Sequence, residues 1–95
     1  MIAKFSTGYI QFIKIKDTTR IHLHFRNLIP NALYRFYIHG FFMEYELCNL
    51  KSNYKKEINY IFYDDRIQMY RCISILGKKI NIYENNTLID HSIII

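Results

Sequence analysis

The chain has 95 residues and a formal net charge of +5; 51% of it is apolar and 17% aromatic. That length allows one domain at most, with a modest core, and the composition excludes a disordered chain. The basic residues are scattered, with the densest groups at Lys51–Lys56 and Lys78–Lys79 and no long basic run, so the charge pattern argues against a nucleic-acid partner.

There are 18 Ile, 9 Tyr, 8 Asn and 8 Lys but no Val and no Trp. The four abundant types have AT-rich codons, which points to an AT-rich genome such as that of a large DNA virus, a parasite or an organelle. Part of the Ile excess is then mutational, which weakens it as evidence for strands. The start, MIAKFSTGYIQF, lacks the apolar core of a secretory leader. No stretch approaches a membrane span, so the expectation is a reducing, cytoplasmic location with free thiols at Cys48 and Cys72.

In chain order, Met1–Phe5 is short and poor in turn signals. Gly8–Ile15 (GYIQFIKI) predicts a strand whose alternation falters, because the face of Ile10 and Phe12 runs on to Lys14; a bulge or strand end near Ile13 would repair it. Asp17-Thr18-Thr19 predicts a hairpin turn. Arg20–Arg26 alternates cleanly, with Ile21, Leu23 and Phe25 opposed to His22, His24 and Arg26. Asn27–Asn31 reads as a turn holding the only proline, Pro30. Tyr34–Phe42 then predicts a strand with Phe36 and Ile38 on one face, Tyr37 and His39 on the other. Met43–Lys56 reads as a long polar connection with room for a helical turn.

Further strands are expected at Glu57–Tyr63, Ile67–Leu76, Lys79–Glu84 and Leu88–Ile95, with turns at Asp64-Asp65-Arg66, Gly77 and Glu84–Asn86. About seven short strands and no convincing helix predict an all-β, antiparallel sandwich or barrel in a single domain spanning residues 1–95. Ile21, Leu23, Phe25, Phe36, Ile38, Ile80 and Ile82 are its expected core.

Gly8–Phe12, Arg20–Leu28, Phe36–Phe41 and Ile75–Glu84 resemble, in that order, stretches of the Cu/Zn superoxide dismutase family. Gly8-Tyr9-Ile10-Gln11-Phe12 is similar to its early G-x-I-x-F strand. Arg20–Leu28 is similar to the next strand, with Asn27 in place of a glycine. Phe36-Tyr37-Ile38-His39-Gly40-Phe41 resembles the copper strand F-H-V-H-E-F, and Ile75–Glu84 resembles I-I-G-R-x-L-V-V-H-E. The resemblance implies a reduced Greek-key sandwich. It also places the family's first copper histidine at Tyr37, its second at His39 and its last at Tyr83, and puts Gly40 where the family has glutamate. Cys48 falls at the family's disulfide position, without a matching partner near His91-Ser92. The long metal loop has no room between Cys48 and Glu57, and the charged loop that steers superoxide is missing. Shortened poxviral dismutase-like proteins that lack metal ligands are similar in these respects.

Each candidate for chemistry meets a plain alternative. Tyr37, His39 and Tyr83 make a poor copper site, because copper redox cycling needs several imidazoles and a phenol ionises only near pH 10; a surface cluster of aromatics competes. His22 and His24 share a strand face and are two metal ligands at most, against a solvated polar face. Cys48 and Cys72 have no zinc or redox spacing. Asp64-Asp65 beside Arg66 reads as a turn, not an acid–base pair. In the family, the I-G of the I-I-G-R stretch and the final strand form the homodimer contact. The resemblance therefore implies an interface at Leu76, Gly77, Ser92, Ile93, Ile94 and Ile95, with core packing as the alternative. The resemblance, with the shortened poxviral proteins in particular, implies an inactive, dismutase-like viral protein with no catalytic residue, cofactor or metal. It would bind a protein: its own copy, a host dismutase or a copper chaperone, as a decoy. A structural or virion-associated β protein and a basic nucleic-acid-binding module are the other readings.

Overall fold

The computed structural model describes residues 1–39, 44–66 and 75–95. Among them are eight strands: β1 (Ile2–Lys4), β2 (Gly8–Ile15), β3 (Thr18–Phe25), β4 (Leu33–His39), β5 (Tyr45–Lys51), β6 (Ile58–Asp64), β7 (Lys79–Glu84) and β8 (Thr87–Ile93). They pair antiparallel in two sheets, β1-β2-β3-β6 and β5-β4-β7-β8.

Alternation dictates the layering. On β3 and β4 every second side chain is buried, and the inward residues of both sheets form one core. All seven expected core residues are at most 2% exposed. Phe25 from one sheet meets Phe36 from the other with ring centroids 5.5 Å apart, so the sheets pack face to face.

The sandwich is tied along both sides. Ile2 and Ile95 exchange backbone hydrogen bonds of 2.8 and 2.9 Å, which joins β1 to the extension of β8. On the other side the Tyr45 hydroxyl donates to Asp64 Oδ2 at 2.5 Å, linking β5 to β6. The Asn27–Asn31 turn crosses between the sheets. Both asparagines have positive φ, 58° and 56°, which Asn tolerates better than most residues. The turn is pinned by Ile29 N–H donating to the Tyr34 hydroxyl at 2.9 Å and by buried Ser52, whose Oγ donates to the Ile29 carbonyl.

Four expectations need correction. The segment around residues 45–51 is strand β5, not a loop. A bulge opposite Phe36 and Tyr37 slips its register, so Leu47, Cys48 and Leu50 break simple alternation while all facing the core. β2 has no bulge near Ile13; its ladder with β3 is unbroken from Gly8↔Phe25 to Ile15↔Thr18, and Lys14 reaches solvent because the strand outruns the core. The first hairpin turns at Lys16-Asp17, one residue earlier than expected, with Lys16 at φ 51°. Ile75–Gly77 precedes β7 as a turn closed by Lys78 N–H donating to the Ile75 carbonyl at 3.0 Å. The rest of the strand expected at Ile67–Leu76, residues 67–74, lies outside the described residues.

Candidate functional site

β4 and β7 are the central strands of the second sheet, so their outward residues form a row of neighbours. The register sets Arg35 beside Tyr83, Tyr37 beside Asn81 and His39 beside Lys79. The three positions that resemble copper-ligand positions therefore share one outer face. Tyr37 and Tyr83 touch edge to face, with centroids 5.5 Å apart and an interplanar angle of 87°. Buried Asn81 sits under the pair, its Nδ2 3.5 Å from the Tyr83 hydroxyl. His39 turns elsewhere: its Nε2 lies 2.8 Å from Glu44 Oε1, an ion-pair distance without hydrogen-bond alignment. Sequence reasoning did not pair Glu44 with His39, since nothing in their spacing signals the contact. Gly40 lies outside the described residues.

This donor set does not fit copper. The two phenols pack against each other, which is the usual geometry of an aromatic pair, and the one imidazole faces a carboxylate. Among the described residues, no three His, Cys, Asp or Glu side chains come together to hold a metal ion.

His22 and His24 lie on the outer face of the other sheet. Their rings are 6.1 Å apart, and Tyr9 stacks on His24 at 5.6 Å and 7°. Both imidazoles are engaged through Nε2: His22 with Asn59 Oδ1 at 2.8 Å, His24 as acceptor from Arg26 Nε at 3.2 Å. They form a ring cluster rather than a chelate.

Cys48 is a free thiol against the core. Burial, reinforced by Glu46 and Asp64, pushes its pKa up to about 12, so it is no thiolate nucleophile. Cys72 lies outside the described residues. Asp64 ends β6 as a buried carboxylate. Burial alone would raise its pKa, but the Tyr45 hydroxyl and Arg66 outweigh burial and lower it. The Arg66 guanidinium reaches it at 3.2 Å and lies 4.8 Å from the Tyr45 ring. The group is a structural clasp.

The expected interface divides. Ile94 is fully buried, and its backbone pairs with Gly77 and Lys78, so it belongs to the core rather than to a docking surface. Ser92 lies beside Ile80 on the inner side of β8. Leu76, Ile93 and Ile95 are 47% to 66% exposed, and Leu88 and Ile89 add two exposed apolar residues that sequence reasoning missed. A bulge at Ile82 and Tyr83 displaces Ile89 from alternation, which hid it. Gly77 has φ +82° and donates its N–H to the Ile94 carbonyl.

No helix of the described residues is long and apolar enough to cross a membrane. No protein-family model matches the chain, and no curated protein matches it in sequence.

Proposed function

We propose that the chain is a catalytically inactive, dismutase-like sandwich that works by binding another protein along β8. The observation that carries this reading is the apolar strip Leu76, Leu88, Ile89, Ile93 and Ile95, each 46% to 66% exposed, on or beside the outermost strand of its sheet. An exposed apolar edge strand is a docking or aggregation surface unless covered. Counted around the sandwich, strands β4, β5 and β6 succeed one another and β3 returns beside β6, an order that supports a Greek key. The shared face of Tyr37, His39 and Tyr83 supports the dismutase resemblance, and their chemistry supports the loss of turnover. On this reading the protein is viral and acts in the host cytoplasm as a decoy, with a dismutase subunit or its copper chaperone replacing a second copy of the chain.

The test is sedimentation of the wild type alone and mixed with purified Cu/Zn dismutase or copper chaperone. A dimer or a mixed complex is expected, abolished by Leu88→Asp with Ile93→Asp at an unchanged melting temperature. A wild-type chain that stays monomeric and binds neither protein refutes the proposal.

A further inference from the structure

No outward position of β1, β2, β3 or β6 is a carboxylate. The ladders set Lys4, Tyr9, His24 and Asn59 side by side in one row across this sheet. The next rows bring Gln11 beside His22, and Arg20 between Ile13 and Tyr63. Arg26 reaches the same face through its bond to His24. The acids nearest in sequence, Asp17, Glu57 and Asp65, lie one residue beyond the strand ends, as Arg26 does, and Glu57 and Arg26 adjoin the paired Ile58 and Phe25 at the edge of the face. Three fixed cations (Lys4, Arg20 and Arg26) thus stand around a cluster of three rings, and within the ladders no carboxylate faces outward beside them. The opposite outer face of the molecule differs, with Glu46 beside Tyr37 and Glu44 at His39.

We propose that this face binds single-stranded nucleic acid. Tyr9 and His24 stack nearly parallel, with His22 edge-on to both, and Asn59 and Arg26 hold the imidazoles in place. Rings fixed on the flat face of a sheet are the platform on which unpaired bases stack, and flanking Lys and Arg neutralise the phosphates. Tyr63, 60% exposed, provides a further ring beside Arg20. A duplex keeps its bases stacked inside and offers this platform nothing. An acidic peptide matches the charge but not the rings. The proposal is independent of the β8 edge, which belongs to the other sheet.

The probes are fluorescein-labelled oligouridylate and oligothymidylate of about ten nucleotides, read by anisotropy from about 50 to 200 mM salt, a range over which phosphate contacts weaken visibly. With three cations engaged, the log affinity should fall against log salt with a slope of about −2. Tyr9→Ala should weaken binding about 5- to 150-fold, the range for one lost stacking contact. Arg20→Gln with Arg26→Gln should flatten the slope to about −0.7. Arg35→Gln with Lys79→Gln, on the other face, should change neither. If Tyr9→Ala fails to fold by circular dichroism, Tyr63→Ala and the arginine pair decide. Binding of either oligonucleotide with these responses carries the proposal. It is overturned if neither binds, if a duplex or poly-glutamate of equal charge binds as tightly, or if the Arg35 and Lys79 changes cost as much as those on the first sheet.

Discussion

Gly77→Ala separates a turn residue from a docking surface. Gly77 has φ +82°, and a Cβ built on it meets nothing within 4 Å. Steric overlap with neighbours is therefore absent, and the cost is that of placing an L-residue in left-handed backbone, about 1–2 kcal/mol. The stiffer unfolded chain returns about 0.4–1 kcal/mol of that, leaving a net loss of about 1 kcal/mol. For a domain of this size such a loss lowers the melting temperature by about 4–8 °C. Asparagine enters this region more easily, so Gly77→Asn should lose about half as much. Thermal melts followed by circular dichroism read both. Gly77→Arg adds a bulky cation to the same backbone cost, so association that survives Gly77→Ala and fails in Gly77→Arg would assign the position to the β8 docking surface as well. Ala and Asn variants that melt with the wild type would refute the turn argument, because they would show that the left-handed geometry carries no penalty here.

Two further changes probe the fold. Tyr45→Phe keeps the ring beside Arg66 but removes the hydrogen bond to buried Asp64; urea titration at pH 7 should show a loss of about 1.5–3 kcal/mol, the range for a bond to a charged group. Since the folded-state pKa of Asp64 is lowered, its contribution is complete above the unfolded value near 3.9 and is lost as pH falls through the folded one; the gap between wild type and Tyr45→Phe should therefore narrow on acidification, and a constant gap would contradict the clasp. Gly8→Ala places a Cβ 1.9 Å from the His24 carbonyl oxygen and 2.8 Å from Phe25 Cα, so the β2–β3 ladder must open; a loss of about 1–3 kcal/mol is expected from overpacking, and a wild-type melt would show that the strands shift freely.

The sandwich was legible because β3 and β4 keep period two without interruption and β7 sends Ile80 and Ile82 into the same core. β5 was not, because a bulge puts Leu47 and Cys48 on the core side in succession, and a pattern that slips reads as a loop. Turns were legible through asparagine. The described residues hold six non-glycine positions with positive φ, and four of them are Asn27, Asn31, Asn85 and Asn86. Asn85-Asn86, both left-handed between paired Glu84 and Thr87, is a two-residue hairpin of the I′ kind. Lys16 and Lys56 fill the other two, where no sequence signal marked them.

The candidate sites divide along the same line between local and long-range information. Resemblance on two separate strands put Tyr37 and Tyr83 on one site, and sheet register is what brings them into contact. The basic residues gave the opposite result. Lys4, Arg20 and Arg26 form no run in sequence, yet the antiparallel pairings carry them onto one face around Tyr9, His22 and His24. A linear count of charge tests for the continuous basic segment of a tail or helix. On a sheet, the relevant neighbour is the residue across the ladder, about 5 Å away, whatever its distance along the chain. Scattered charge therefore gathers into a patch only in strand register, and it is on that patch that the proposal of a single-stranded partner rests.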